Sequence, residues 1–532
     1  MSEISLDKII KNFFICNKDE LIEIFTELLN TMEAEDTLDE TNVMSKNYET
    51  AQRNPEINTL PGNLKDARDS IFPFFWGTDD WYSKLHLENV RGPANFASLI
   101  GSIACLLKNP NLCVDTYSQR SNELELKAIT TLANLVFYHT DNPWGVFTMG
   151  GTISNLYGGK IGIEKVIPGA MENGLKNCKV VGIVSEAAHY SNETLAGWLG
   201  IGTKNLHTIK TDQSCSMNLN ELSKEMDALY KKKNTIAFVI ATFGTTDSFG
   251  IDNIKEIRNI INEKVKKFKV KPPQLHVDAA AGWSLCMLNE YDTKNNIFDL
   301  NTEVLATIKN LQKVSLHIQY ADSITIDFHK MGWGHYPASA FIVANRDDLK
   351  FLLRKKEQLP YFSEADYSHD PALFTLECSR PALGPYSVMA SLNGIGLKGY
   401  QLLVAHSLEL AVYAKKVINE LDNCIVLNRH AIGPSVVWWV LPRGRNAKKI
   451  YSDLINGKLS KKDYKQYFHE IKHLYDKRIS LMDIQIDARL SFTMSMGYFP
   501  NKIPIPAWKA VFFNPKTDKT VIDDIIKSIK EL

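Results

Sequence analysis

The chain has 532 residues, with 61 Lys+Arg balanced by 61 Asp+Glu, so it carries no formal net charge. That balance offers no basic surface for nucleic acid and none for an acidic membrane. An apolar share of 44% and a charged share of 23% are ordinary for a globular protein, and the length allows roughly two to four structural units. Eight cysteines are scattered, with no C-x-x-C and no Cys/His cluster at zinc spacing. Such usage fits reduced thiols and a cytoplasmic protein better than a disulfide framework, and no metal site is expected. The N-terminal "MSEISLDKIIKNFF" is charged throughout, and the apolar runs fall short of a membrane span.

In chain order, the first 60 or so residues read as polar helices with an acidic patch at 33–40, and 1–90 is expected to form a helical arm. "LELKAITTLANLVFYH" (124–139) places apolar residues at three- and four-residue steps and predicts an amphipathic helix. Four β-branched runs follow: "KVVGIVS" (179–185), "TIAFVIATFG" (235–244), "QLHVDAA" (274–280) and "DSITIDFH" (322–329). They are predicted to be strands, largely apolar on both faces as buried parallel strands are. "IDNIKEIRNIINEKVKKF" (251–268) reads as a helix between two of them. The alternation predicts an α/β domain with a mostly parallel central sheet over 91–383. From 384 to 532, a long helix, the run "SVVWWV", a Lys-rich helical stretch (447–479) and a terminal helix predict a smaller α+β domain.

Polar residues gather where strands end. His189, Thr245 and Thr246, Asp278, and His329 with Lys330 all fall at or just after the carboxyl end of a strand-like run. Ligands of open parallel sheets bind beyond those ends. "TMGGTISN" (148–155) is a glycine turn opening a helix, whose free N–H groups suit a phosphate. It matches neither G-x-x-x-x-G-K-[ST] nor G-x-G-x-x-G, and a plain capped turn would read the same way. Each of the other positions has its own ordinary reading. Asp278 could cap a helix, His189 could be a satisfied core histidine, and Thr246 could be a turn hydroxyl. Lysine becomes a nucleophile when its pKa is lowered, or it can hold a carbonyl as an imine. A phosphate cradle, a flat ring, a carboxylate and an imine-forming lysine together describe a site for pyridoxal 5′-phosphate.

As a set, "GGTISN", "AAHYSN", "ATFGTT", "HVDAAAG", "DSITIDFHKMG" and "TLECSRPALG" resemble the group II pyridoxal-phosphate-dependent amino-acid decarboxylases of fold type I. The likeness spans roughly residues 70–400 and has the flavour of the bacterial and archaeal tyrosine/aspartate-type enzymes. It implies that Lys330 forms the imine, Asp278 holds the pyridine nitrogen protonated, His189 stacks on the ring and Ala280 packs on its other face. Thr152, Ile153, Ser154 and His329 are implied near the phosphate, Thr246 and Asp327 as further cofactor contacts, and Ser379 as a contribution from the second subunit of a homodimer. The chain departs from the family's pattern at Phe328, where many members have proline, and at Ala281, Gly282 and Trp283. Both departures are expected near the substrate.

In the family, a mobile loop carries a tyrosine that protonates the carbon from which carbon dioxide has left. Tyr361 in "LPYFSEADYSHDPALF" is the match, with Tyr367 as a second candidate. Relatives that form aldehydes have phenylalanine there, and Phe362 is adjacent. The implied reaction converts an L-amino acid to its amine and carbon dioxide. An aromatic, tyrosine-like substrate is favoured, on the flavour of the resemblance and on Trp283, Phe74 and Trp76. The alternatives are an acidic amino acid, a carbon–carbon lyase of the sphingosine-phosphate-lyase type, or an aldehyde synthase.

Overall fold

The computed structural model describes residues 5–14, 17–34, 48–53, 59–75, 81–88, 92–136, 138, 142–355, 369–483, 486–495 and 504–532. They fall into two units, Met1–Asp80 and Trp81–Leu532. In the first, α1 (Leu6–Phe13) opens on Ser5, whose hydroxyl accepts from the Lys8 N–H. Helices α2 (Lys18–Ala34), α3 (Tyr48–Arg53) and α4 (Leu64–Phe75) follow, with a Lys65–Glu23 pair at 2.8 Å between α4 and α2.

The second unit begins with α5 (Phe96–Lys108) and α6 (Arg120–Leu135). The predicted helix thus starts a turn earlier than its apolar pattern, where Ser121 and Asn122 are buried, and it ends at Leu135, short of the expected 139. Next come β1 (Trp144–Thr148), α7 (Gly151–Val166), β2 (Val180–Ser185), β3 (Leu206–Ile209) and β4 (Thr235–Thr242). They are followed by α8 (Ile254–Phe268), β5 (Gln274–Asp278), β6 (Ser323–Asp327) and β7 (Ser339–Val343). The seven strands form one sheet in the order β1-β7-β6-β5-β4-β2-β3. Strands β2 to β6 pair in parallel, and β7 runs antiparallel to both β1 and β6. Helix α8 is a typical crossover: Asn253 caps it, Ile254, Ile257 and Ile261 form its buried stripe, and Lys269 ends it in the left-handed region at φ +53°.

The expectation of strands apolar on both faces needs a correction at β5 and β6. One face of β5 presents Gln274, His276 and Asp278, and one face of β6 presents Ser323, Thr325 and Asp327, all buried. The register sets His276 opposite Ser323 and Asp278 opposite Thr325, so the sheet has a polar ladder in its middle. Helix α7 packs there, and the hydrogen bonds between these side chains repay their desolvation.

Helix α9 (Leu383–Asn419) breaks at Gly396, φ +70°, and links two cores. Tyr400, Val404 and Leu408 pack in the main core, whereas Leu410, Ala414 and Ile418 pack in a second one. That second core lies against a four-stranded antiparallel sheet, β10-β11-β9-β8. Its strands are β8 (Cys424–Val426), β9 (Ser435–Val440), β10 (Ser491–Thr493) and β11 (Ala507–Val511). Buried Trp438, Trp439 and Trp508 fill it, with α10 (Lys461–Leu481) and α11 (Lys519–Glu531) on its flanks. Among the described residues, no helix is long and apolar enough to cross a membrane.

Candidate active site

A small, polar cleft opens where β4, β5 and β6 end and α7 begins. Of the residues expected from the sequence, Thr152, His189, Thr246, Asp278, Ala280, Asp327 and Lys330 line it. Strand β6 delivers the lysine. After Asp327 the chain turns, with the Lys330 N–H donating to the Asp327 carbonyl at 3.1 Å, and Lys330 Nζ folds back to 3.0 Å from Asp327 Oδ2. Asp327 Oδ1 accepts from Ser339 Oγ at 2.5 Å, across the β6–β7 register pair.

Burial pushes the Asp327 carboxyl up, but Lys330 and His329 outweigh it and hold the group below the usual range. Burial likewise pushes the Lys330 amine down, and Asp327 with Asp278 more than reverses this, leaving it raised. Lys330 is therefore an ammonium, not a lysine primed by a depressed pKa. Condensation with a carbonyl needs the free amine, so this proton must leave before Lys330 can form an imine. Gly151 matters here: a Cβ on it would stand 2.9 Å from Asp327 Oδ2, so glycine lets the start of α7 approach the carboxylate.

Asp278 ends β5 on the same floor. Its Oδ2 accepts from Asn155 Nδ2 at 2.8 Å and its Oδ1 from the Ala280 N–H at 3.1 Å. Among the described residues it is in no ion pair within 4 Å, so a buried carboxylate faces the cleft on neutral donors alone. His189, in the turn after β2, accepts the Ser191 N–H on Nδ1 at 3.2 Å, with the Ser191 hydroxyl at 2.8 Å. Burial pushes its pKa down, so the ring is neutral and carries its proton on Nε2.

Thr246 follows β4 and is held from the small sheet. Buried Lys509 on β11 donates to the Thr246 carbonyl at 3.4 Å and to Asp247 Oδ1 at 2.8 Å, and Thr493 Oγ1 donates to Asp247 Oδ2 at 2.9 Å. Lys509, Asp247 and Asn155 were not singled out from the sequence. Asn155 stands inside the quoted "GGTISN", but Lys509 is 263 residues from Thr246 and carries no local signal.

Other expected residues lie off the cleft. Ile153 packs in an apolar cluster with Tyr157 and Phe341, and the Ser154 hydroxyl meets Thr148 Oγ1 at 2.7 Å. His329 is buried against Tyr336, with ring centres 3.9 Å apart and Nε2 3.8 Å from Asp327 Oδ2. Ser379 is exposed and accepts from Asn111 Nδ2 at 3.1 Å. Tyr361, Phe362, Tyr367 and Trp76 lie outside the described residues.

The two departures from the family's pattern were expected beside the substrate, and for their large side chains this is corrected. Phe328 and Trp283 are both fully buried and stack on each other at 5.2 Å, 26° apart, beneath the cleft. Trp283 Nε1 donates to the Asp327 carbonyl at 3.0 Å. A Cβ on Gly332 would meet the Phe328 carbonyl at 2.4 Å, so that glycine makes room for the chain around Phe328. Only Ala281 of this group lines the cleft.

An ammonium on the floor, a buried carboxylate in no ion pair among the described residues, a flat neutral imidazole and a glycine-opened helix fit a phosphorylated pyridine aldehyde. The chain belongs to the pyridoxal-dependent decarboxylase family, whose conserved domain matches residues 42–441. It is a pyridoxal-phosphate-dependent carboxy-lyase of fold type I acting on an amino acid. It is 25% identical over 394 residues to the acidic amino acid decarboxylase GADL1 of Xenopus tropicalis, covering 73% of this chain and 67% of that one. It is 26% identical over 379 residues to the L-2,4-diaminobutyrate decarboxylase of Acinetobacter baumannii, covering 67% of each. With the aspartate 1-decarboxylase of Aliivibrio fischeri the identity is 24% over 451 residues, 80% of this chain and 75% of the relative. The fold matches the crystal structure of mouse CSAD in apo form with a TM-score of 0.74 at 17% identity, covering 97% and 99% of the two chains.

Proposed function

We propose that the enzyme decarboxylates an L-amino acid with a short charged side chain, an acidic one first, releasing the amine. The observation that carries this reading is the convergence of Lys330 and Asp278 in one polar cleft that, among the described residues, no aromatic side chain other than the His189 imidazole lines. Trp283, offered as support for an aromatic substrate, is spent in the core, and Phe74 belongs to the N-terminal unit, where it is exposed. Acidic amino acids, 2,4-diaminobutyrate and aspartate are the substrates named for the three relatives above, all short and charged, although a tryptophan decarboxylase is among the solved structures of similar fold. An aromatic amino acid is the competing reading.

Bound pyridoxal phosphate supplies an electron sink for the carbon that loses its carboxylate. Lys330 would hold the cofactor through its aldehyde, and Asp278 would face the pyridine nitrogen with a carboxylate that favours its protonated form. His189 and Ala280, which both line the cleft, would border the two faces of the ring and so orient the substrate against it. Thr152 would border the phosphate, with Ile153, Ser154 and His329 as the further neighbours that the family resemblance implies. Thr246 and Asp327 hold the ring's flank and the lysine. Tyr361 donates the proton that completes the amine. The active unit is a homodimer in which residues 1–90 form the arm, 91–383 bind the cofactor, 384–532 form the small domain, and Ser379 serves the partner's site.

The test is release of carbon dioxide from a panel of L-amino acids, with amine, ammonia and peroxide measured together. Aspartate or glutamate turned over best, with amine as product, is expected. Tyrosine or tryptophan turned over best would transfer the assignment to the aromatic reading. Stoichiometric peroxide and ammonia would make the enzyme an aldehyde synthase and remove Tyr361 from its role.

A further inference from the structure

His276 is fully buried on β5, two residues before Asp278 and on the same face. Its Nε2 lies 3.0 Å from Asn155 Oδ1 and 3.0 Å from Thr325 Oγ1. Its Nδ1 lies 2.8 Å from Ser323 Oγ, which Gln274 Nε2 approaches at 3.0 Å. Asn155 Oδ1 also receives the Thr325 hydroxyl at 2.7 Å, while Asn155 Nδ2 donates to Asp278 Oδ2 at 2.8 Å. Helix α7 comes this close because residue 158 is glycine: a Cβ there would stand 2.6 Å from His276 Nδ1.

We propose that His276 is a positioning residue, which as the Nε2–H tautomer grips Asn155 and through it fixes the Asp278 carboxylate that serves the cofactor. This rests on the assignment of Asp278 to the pyridine nitrogen.

The direction of every bond in the chain follows from its acidic end. A carboxylate only accepts, so Asn155 must turn its NH2 group toward Asp278 and its oxygen away. That oxygen must then receive donors, which places the His276 proton on Nε2. Nδ1 is left as a lone pair that takes the Ser323 hydroxyl proton, and Ser323 in turn accepts from Gln274. Burial pushes the His276 pKa down to about 3, so the ring is neutral and has one N–H to place. The opposite tautomer would let Gln274 flip and satisfy its oxygen, which now lacks a partner. It would also set the Asn155 oxygen 3.0 Å from a bare ring nitrogen, beside the carboxylate the cleft depends on. Leaving an orphan amide oxygen deep on β5 is the smaller loss, because it is neutral and away from the charge.

The test uses the full-length enzyme carrying His276→Phe, His276→Gln, Asn155→Ala or Asp278→Asn. For each, the dissociation constant for pyridoxal phosphate is measured by equilibrium dialysis, and the pH of the bound cofactor's visible absorbance transition by titration. Phenylalanine has the shape without the hydrogen bonds, whereas glutamine can donate to Asn155 and accept from Ser323. His276→Phe and Asn155→Ala are expected to weaken cofactor binding about tenfold and to move the transition, and His276→Gln to restore both. Wild-type values in His276→Phe, or glutamine no better than phenylalanine, would overturn the relay. If Asp278→Asn also keeps wild-type values, the assignment of Asp278 fails and the relay fails with it. If only Asp278→Asn changes them, the relay alone fails. Should His276→Phe not fold, 15N NMR of histidine-labelled wild-type enzyme decides. A protonated Nε2 on His276 supports the relay, and a protonated Nδ1 refutes it.

Discussion

Phe328 and Lys330 are two residues apart, yet they belong to layers with opposite demands. Phe328 lies fully buried beneath the cleft, sandwiched by Trp283 at 5.2 Å and by Tyr400 edge-on at 6.2 Å. Lys330 faces the cleft from the layer above, tied to Asp327 at 3.0 Å. The lower layer is held by volume and stacking, which tolerate exchange among shapes of equal size. The upper layer is held by charge and directed hydrogen bonds, where one lost partner leaves a buried ion alone. Departures from a family's pattern can therefore collect in the lower layer, as Phe328 and Trp283 do, without touching the chemistry above.

The sharpest way to break this division is Lys330→Ala. It should abolish both the visible absorbance of bound cofactor and decarboxylation, and it should lower the melting temperature of the apoprotein by leaving the buried Asp327 without its nearest cation. Retained turnover would remove Lys330 from the centre of the site. In the lower layer, Phe328→Ala should cost about 3–5 kcal/mol of stability in denaturant titration. Its turnover per folded molecule should stay near wild type. A collapse of kcat at unchanged stability would place Phe328 at the substrate instead.

A smaller effect separates the charges within the upper layer. Asp327→Asn leaves the burial of Lys330 unopposed by its nearest carboxylate, so the amine's pKa should fall. The rate at which apoenzyme captures pyridoxal phosphate should then reach its plateau at a lower pH than in wild type, and an unmoved profile would deny the pair its role. The sign for stability follows from the same shifts. Asp327 titrates lower in the folded chain than in the unfolded one, so its stabilisation is lost as pH falls through that lowered value. Lys330 titrates higher, so its stabilisation is lost as pH rises through the raised value.

Much of this site is legible in the chain because parallel strands place their last residues at one edge. Asp278 and Lys330 could be assigned to a common cleft from strand-like runs alone, and they meet there, whereas Asp327 was implied only by the family resemblance. Runs that looked uniformly apolar concealed more. Q-H-D at 274, 276 and 278 and S-T-D at 323, 325 and 327 alternate with period two, but polar residues amid valine and isoleucine read as minor exceptions. Only the pairing of β5 with β6 under α7 makes them one face. Lys509 had no legible role, since nothing near "AWKAVFF" points to a loop more than 250 residues earlier.

The sequence by itself determined the family, the cofactor and the strand-end residues, because local motifs carry both the turn geometry and the reactive groups. Tertiary structure alone decided which of those residues face the cleft. Ile153 and Ser154 sit in the motifs and Trp283 directly after one, but their side chains pack or bond away from it. The reason is physical. A motif fixes where the backbone goes, whereas the direction and protonation of a side chain depend on the partners that packing brings to it from elsewhere in the chain.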